Sequence, residues 1–344
     1  MEVTGAAQRR AWYDGTMPPV ERVTDGVWSI PVPVPDNPVR YTLCYVLLGA
    51  QACVVVDPGW DDDNTWTALT AGLARAGVRV EDIAGILVTH VHPDHHGLSG
   101  RLAAASGAWI AMHPEEREML VIRVSDQRQE VDRAWLAAQG VPAETIAEIV
   151  TDIRQLAKFA AMARPTVELA DDDLVPLPGR RIRALATPGH TPGHLCLYDE
   201  DEKLLFTGDH VLPRITPNVG LQPFAARPPL GRYLNSLERI RPFAAAEVLP
   251  AHEWRFRGLD SRLDELADHH AERSAEVLGV VAEDGPLSVW AITERLTWSR
   301  GWAHVRGFQR RAALAETRAH VLYLAESGRV RVSEDEHGVG MVSS

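Results

Sequence analysis

Thr89-His90-Val91-His92-Pro93-Asp94-His95-His96-Gly97 is the stretch that decides how this chain is read. It follows the apolar run Gly85–Val88, the signature of a buried strand. In extended backbone, residues two apart point to the same side, so His90 and His92 can converge on one metal ion. Pro93 keeps His92 extended and then turns the chain. Asp94 and His95 are thereby free to face a second ion, and Gly97 eases entry into the helix beyond. Imidazole and carboxylate are ligands that suit zinc first, with iron or manganese as alternatives. Four such side chains within six positions, directly after a strand, are too dense for a chance surface cluster.

One segment cannot complete two coordination shells, so further ligands are expected at other strand exits. Three places qualify. His190 lies in the glycine- and proline-rich turn Thr187-Pro188-Gly189-His190-Thr191-Pro192-Gly193-His194. Asp209 follows Phe206-Thr207-Gly208, and His252 follows Val248-Leu249-Pro250-Ala251. A lone histidine is usually a satisfied structural residue; together with the first segment these three supply the number and chemistry of a two-ion site.

Outward from this centre, short apolar runs alternate with turns and helical stretches. Strands are expected at Val27–Val32, Tyr41–Leu48, Ala52–Val56, Gly85–Thr89 and Ala108–Met112, with helices at Thr65–Ala76, capped by Asn64, and Leu98–Ala105. From Glu115 to about Met162 the apolar spacing turns helical (Val131, Trp135, Ala138, then Ile146, Ile149, Ile153, Leu156), predicting two to four inserted helices. A second strand-rich stretch follows at Val167–Leu169, Arg181–Ala186, His194–Tyr198, Lys203–Phe206 and Glu247–Leu249, interrupted by a proline-rich loop over Leu212–Gly231. Two strand-rich halves with helices between them suggest a sheet sandwich covered by outer helices. Beyond about Asp260 the signal is helical: Leu263–Ala282, Val289–Leu296 capped by Ser288, and Ala312–Glu326, then a terminal hairpin. The expected division is therefore a catalytic domain over 20–258, with its helical insertion at about 115–163, and a winged-helix-like domain over 260–344.

Composition narrows the function classes. The 344 residues carry a net charge of −12, which repels phosphate backbones at long range and disfavours indiscriminate nucleic-acid binding. Cys44, Cys53 and Cys196 sit in apolar strand-like runs without a CxxC pair, and read as buried free thiols. The N-terminal residues lack an apolar leader core and no apolar run is long enough to span a bilayer, so the cytoplasm is the expected compartment. A Gly-x-Ser-x-Gly elbow and a Walker-type phosphate loop are absent.

Thr89–Gly97 as an HxHxDH motif, Gly189–His194, Thr207-Gly208-Asp209 and Leu249–His252, in that order, resemble the metallo-β-lactamase superfamily from about Val27 to about Arg257. The resemblance implies an α/β fold, an αββα sandwich with the metals at one sheet edge. It implies that His90, His92 and His190 hold one ion, that Asp94, His95 and His252 hold the other, and that Asp209 bridges both. Asp57, in Val55-Val56-Asp57-Pro58-Gly59, matches the family's early acidic motif; a plain capping or turn role is the alternative. His96 and His194 adjoin ligands and either support them or simply pack. His210 is a candidate lining residue of the substrate pocket, and His113, His269, His270, His304, His320 and His337 are expected to be surface or structural.

Two cations roughly 3.5–4 Å apart would bring the pKa of a bridging water towards neutrality, giving a hydroxide nucleophile, and stabilise attacking and leaving oxygens, with Asp94 or Asp209 as proton shuttle. The complete HxHxDH set and Asp209 resemble glyoxalase II, lactonases and related hydrolases more than true β-lactamases. The first functional expectation is hydrolysis of a thioester, ester or lactone bond in a small or carrier-bound acyl substrate, with the insertion and the proline-rich loop walling an apolar pocket. The second is a metal-dependent endoribonuclease or phosphodiesterase, suggested by Arg300, Arg306 and Arg310 interleaved with Trp298 and Trp302. A scaffold protein using only the winged helix is a third. Oligomeric state is not readable from the sequence.

Overall fold

Tyr41–Leu48 shows why these residues form a central strand: seven of its eight positions are buried. Leu43, Tyr45 and Leu47 belong to the main apolar core, while Cys44 and Val46 are buried on the opposite face. A strand covered on both sides reads as a near-continuous apolar run. The computed structural model describes residues 1–122, 128–150, 159, 161–221, 223, 225 and 227–344. Ile153 and Leu156 of the expected helical pattern fall outside the described residues.

The chain divides into two compact units, the first made of 1–121, 158–217 and 236–263 and the second of 122–157, 218–235 and 264–344. The first is a mixed α/β sandwich. Its strands are β1 (Glu2–Val3), β2 (Glu21–Thr24), β3 (Val27–Pro33), β4 (Tyr41–Leu48), β5 (Cys53–Val56), β6 (Ile83–Leu87), β7 (Trp109–Met112), β8 (Val167–Glu168), β9 (Ile182–Ala186), β10 (Leu195–Asp199), β11 (Leu204–Gly208), β12 (Glu247–Pro250) and β13 (Phe256–Arg257). β2 to β8 form one seven-stranded sheet in chain order, and the other runs β1-β13-β12-β11-β10-β9. The pairs β5–β6, β6–β7 and β11–β12 are parallel, so their carboxyl ends share one edge within each sheet.

The core lies between the sheets, with Leu43, Tyr45, Leu47, Val54, Val56 and Leu87 from one and Ile182, Leu195, Leu197, Phe206 and Leu249 from the other. Each fully buried side chain of this size contributes roughly 1.5–3 kcal/mol. On the outer face of the first sheet packs the helix Asp63–Arg75, whose Leu69 and Leu73 are buried. Its Gly72 lets it press on β3, since a Cβ there would stand 2.3 Å from Ile30 Cγ2. Asp62, rather than the expected Asn64, caps this helix by accepting from Thr65 N at 2.8 Å.

At the other end of the sheets, the buried Arg180 guanidinium pairs with Asp199 at 2.7 Å and donates to Gly26 O at 3.0 Å, joining one sheet to the other. Neither β1 nor the helix Ala6–Asp14 was expected; the strand pairs with β13, and Trp12 enters the core.

The second unit is largely helical. The inserted residues form Arg128–Ala138 and Ala143–Ile149. Val289–Arg295 is capped by Ser288, whose hydroxyl accepts from Ala291 N at 3.1 Å, and Phe308–Glu326 follows. A three-stranded sheet, β14 (Leu287–Ser288), β15 (Arg331–Glu334) and β16 (Gly340–Ser343), is ordered β14-β16-β15. Its core gathers Leu136, Val277, Val281, Trp290, Ile292, Leu314, Val321 and Val342. The proline-rich stretch is shorter than expected, because Pro229 opens a helix, Pro229–Ile240. Proline fits a first helical turn, where its missing N–H leaves no bond unmade. Among the described residues no helix is long and apolar enough to cross a membrane.

Candidate metal centre

Each predicted site residue leaves the carboxyl end of a strand. His90 and His92 lie beyond β6, His190 beyond β9, Asp209 beyond β11 and His252 beyond β12. His92 is extended (φ −67°, ψ 147°), and Pro93 is the first residue of the short helix Pro93–His96 that carries Asp94 and His95. Thr89 O accepts from Leu195 N at 2.9 Å, stitching the two sheets together at this edge.

All seven predicted residues come together. The donor atoms of His90, His92 and His190 lie within 4.8 Å of one another, as do those of His90, His95 and Asp209, and those of Asp94, His95 and His252. His92 Nδ1 stands 2.9 Å from His90 Nε2 and 3.1 Å from His190 Nε2. Asp209 faces both groups: Oδ1 is 3.2 Å from His252 Nε2 and 3.5 Å from His95 Nε2, and Oδ2 is 3.6 Å from His190 Nε2. Asp94 Oδ2 is 3.5 Å from His252 Nε2 and 3.8 Å from His95 Nε2.

Neighbours decide which ring nitrogens face the centre. Tyr41 O can only accept, so at 2.9 Å from His252 Nδ1 it requires a proton there and turns Nε2 inward. Asp57 Oδ2 does the same for His95 through Nδ1 at 2.9 Å. The Thr89 hydroxyl donates to Asp57 Oδ2 at 2.7 Å, so it accepts from His90 Nδ1 at 3.0 Å and turns Nε2 of His90 inward too. Such outer partners fix tautomer and ring orientation in metal sites.

The electrostatics are those of a buried ionic cluster. Burial works against a proton on His95, but the Asp209, Asp57 and Asp94 carboxylates outweigh it and push its pKa up to about 10. His252 is likewise raised, against burial, by Asp209 and Asp94. Burial favours the neutral form of Asp209, yet His252, His95 and His190 hold it well below the usual carboxylate range. Burial and the surrounding rings push His90 well down.

These residues fit divalent cations. Among the described residues, His95 Nε2 is buried without a hydrogen-bond partner, although it belongs to a strongly polar group that rarely goes unsatisfied. A donor set of five imidazoles and two carboxylates is one that zinc, iron or manganese accepts.

The supporting shell was only partly legible. Asp57 is no mere turn residue: at φ 50° it accepts from Thr89 N at 2.9 Å, from the Thr89 hydroxyl and from His95. His194 accepts from Asp209 N at 3.2 Å and bonds Thr187 Oγ1 at 2.9 Å, so it supports a candidate ligand. His96 instead packs, bonding Ser99 Oγ and Ala163 O. His210 is fully buried, its ring 5.9 Å from that of His194.

Three further residues contribute, of which only Gly208, in Thr207-Gly208-Asp209, lies in a motif the sequence marks. Gly208 (φ +48°) lets β11 pass the site, since a Cβ there would lie 2.7 Å from His194 Nε2. Glu253, buried at φ 70°, accepts from Arg214 N and Ile215 N and shapes the turn after His252. Glu116 is the third.

The chain matches the family model described as the metallo-beta-lactamase superfamily over residues 37–252. It is similar to lactamase-like protein adaB of Aspergillus niger, 26% identical over 269 residues that cover 77% of this chain and 67% of that protein. The beta-lactamase-like protein 2 homolog of Caenorhabditis elegans is 23% identical over 291 residues, 83% of this chain and 81% of that one. A solved metallo-beta-lactamase family protein from Thermus thermophilus is 30% identical, with a TM-score of 0.78 over 94% of this chain and 99% of that one. A beta-lactamase domain protein from Burkholderia ambifaria has the same TM-score, 0.78, at 24% identity over 99% and 98% of the two chains, a likeness of fold. The matched segment contains all seven converging side chains together with Asp57, and the chain belongs to the metallo-β-lactamase superfamily.

Proposed function

We propose that this superfamily hydrolase is a dinuclear metal enzyme acting on a thioester, ester or lactone bond of a small or carrier-bound acyl substrate, nearest in kind to the glyoxalase II branch. The observation that supports the reading is the set of Nε2 atoms of His90, His95 and His252 turned inward, their Nδ1 atoms being tied to Thr89, Asp57 and Tyr41. In this reading His90, His92 and His190 hold one ion, Asp94, His95 and His252 the other, and Asp209 reaches both. Zinc suits the donor set best, with iron or manganese as alternatives. Two such cations, when bound, supply an activated water and a Lewis-acid contact for the substrate oxygen.

The protein's own groups do the rest. Asp57 and Tyr41 O hold protons on the outer nitrogens of His95 and His252, so those rings cannot turn away. Asp94 and Asp209, 15% and 13% exposed, are the carboxylates at the centre able to pass a proton to solvent. Their two negative charges also offset part of the charge that the cations bring.

The nuclease alternative draws less support. Trp302 meets Trp290 edge to face at 5.2 Å, and Trp298 lies beside Trp302 against the second unit's core. Arg310 pairs with Glu148 at 3.1 Å. These aromatics are engaged in packing, whereas a stacking platform needs open faces. The second unit's helices and β14–β16 are read as winged-helix-like, and the cytoplasm as the compartment; buried free Cys44, Cys53 and Cys196 favour reducing surroundings.

The test is turnover by the zinc-loaded chain against an acyl thioester, an aryl ester, a lactone, a phosphodiester and RNA. Turnover of the acyl substrates and none of the last two is expected. Faster cleavage of the phosphodiester or RNA, falling steeply with salt, would replace this reading with the nuclease.

A further inference from the structure

Glu116 has no part in the chemistry above, yet its side chain is fully buried. It stands in the first turn of the helix Pro114–Ile122, which follows β7. Oε2 accepts from Val91 N at 2.7 Å, and Oε1 accepts from Gly193 N at 2.7 Å. Val91 lies between His90 and His92, and Gly193 lies between His190 and His194. One carboxylate thus ties together the two distant stretches of chain that deliver the first three imidazoles.

Both bonds are short and charge-assisted, the stronger kind. A buried carboxylate is strongly disfavoured unless hydrogen bonds satisfy it, and both oxygens of Glu116 are satisfied by these two stretches of chain. Gly193 is fitted to it: a Cβ there would come within 2.6 Å of His113 Nδ1, and 3.0 Å from both Glu115 Cβ and Glu116 N. Any larger residue would push the helix and the turn apart. The gap so defined matters, because zinc at about 2.0–2.1 Å from each nitrogen needs nitrogens roughly 3.3–3.4 Å apart. The observed 2.9 and 3.1 Å are within half an ångström of that spacing.

We propose that Glu116 is a positioning residue: by holding Val91 and Gly193 on its two oxygens, it sets the distance between the His90–His92 strand exit and the His190 turn. It thereby sets the affinity for the cation those three imidazoles share. This inference rests on the metal-centre reading, and it concerns that ion alone.

Glu116→Gln keeps the size but sets an amide NH2 against one of the two N–H donors, breaking one half of the brace. The full-length chain is titrated with Zn2+ against a competing chelator, and the visible spectrum of the Co2+-loaded form is recorded. One of two equivalents should weaken 10–100-fold, with its Co2+ band altered, while the other stays within about threefold of native. Gly193→Ala, which parts the same elements with the carboxylate intact, should weaken the same equivalent, and it carries the test should Glu116→Gln not fold. Two equivalents of native affinity would overturn the proposal. So would a parallel loss of both with a fall in thermal midpoint, since that marks a merely structural residue. Fewer than two equivalents in the native chain would instead strike down the metal-centre reading itself.

Discussion

Asp57 Oδ2 accepts a hydrogen bond of 2.9 Å from His95 Nδ1, and this one contact fixes which nitrogen of His95 faces the centre. The same oxygen receives the Thr89 hydroxyl, so the orientation of His90 depends on it as well. Asp57→Asn replaces one acceptor oxygen with a donor. Zn2+ affinity, measured by chelator competition, should fall 10–100-fold while the far-ultraviolet dichroism stays native. An unchanged affinity would mean that ring orientation is set elsewhere.

A second prediction concerns the clamp between the sheets. Asp199→Ala leaves the Arg180 guanidinium buried without its carboxylate, and it also removes the acceptor of Asp201 N and Glu202 N. Breaking one side of a buried pair costs about 3–5 kcal/mol. The exposed pair of Arg101 with Asp63 gives the contrast: Arg101→Ala should cost no more than about 1 kcal/mol. Urea midpoints of the two variants check the difference, and equal midpoints would contradict it.

The second unit should lose stability in acid through two rings. Burial, with His269 and Arg273 nearby, pushes His270 down to about 3. Burial, with His270, Arg273 and His269, pushes His320 down to about 2. Both are neutral in the folded chain and take a proton only on unfolding, near pH 6.5. Their stabilisation is whole above pH 6.5 and is lost as pH falls from there towards 3, by about 2 kcal/mol per ring at pH 5. Urea midpoints at pH 7 and pH 5 should differ accordingly, and a double His270→Leu, His320→Leu variant should flatten the dependence. Parallel pH curves for the two proteins would contradict the assignment.

The convergence of these seven side chains was legible from the sequence because they follow strand exits and because the Thr89–Gly97 spacing puts alternate side chains on one side. The central strands were legible for the same reason that Tyr41–Leu48 is buried on both faces: its apolar run is nearly unbroken. β1 was not, since two residues paired to Phe256 and Arg257 carry no periodicity. Nor was the helix Pro229–Ile240, where prolines that normally mark a loop instead open the first turn. Asp57 read equally well as a turn residue, and only the approach of His95 from a later segment distinguishes the two roles. Glu116 sat in a helical pattern without any site signal; its function depends on Val91 and Gly193, which sequence proximity does not reveal.

The central claim is that seven side chains share two cations across Asp209. Metal bound per chain, by elemental analysis of native protein and of Asp209→Ala alongside turnover, tests it most directly. Close to two ions are expected in the native chain, and close to one with turnover lost in the variant. Full activity in Asp209→Ala, or a native chain that binds no more than one ion, would contradict it.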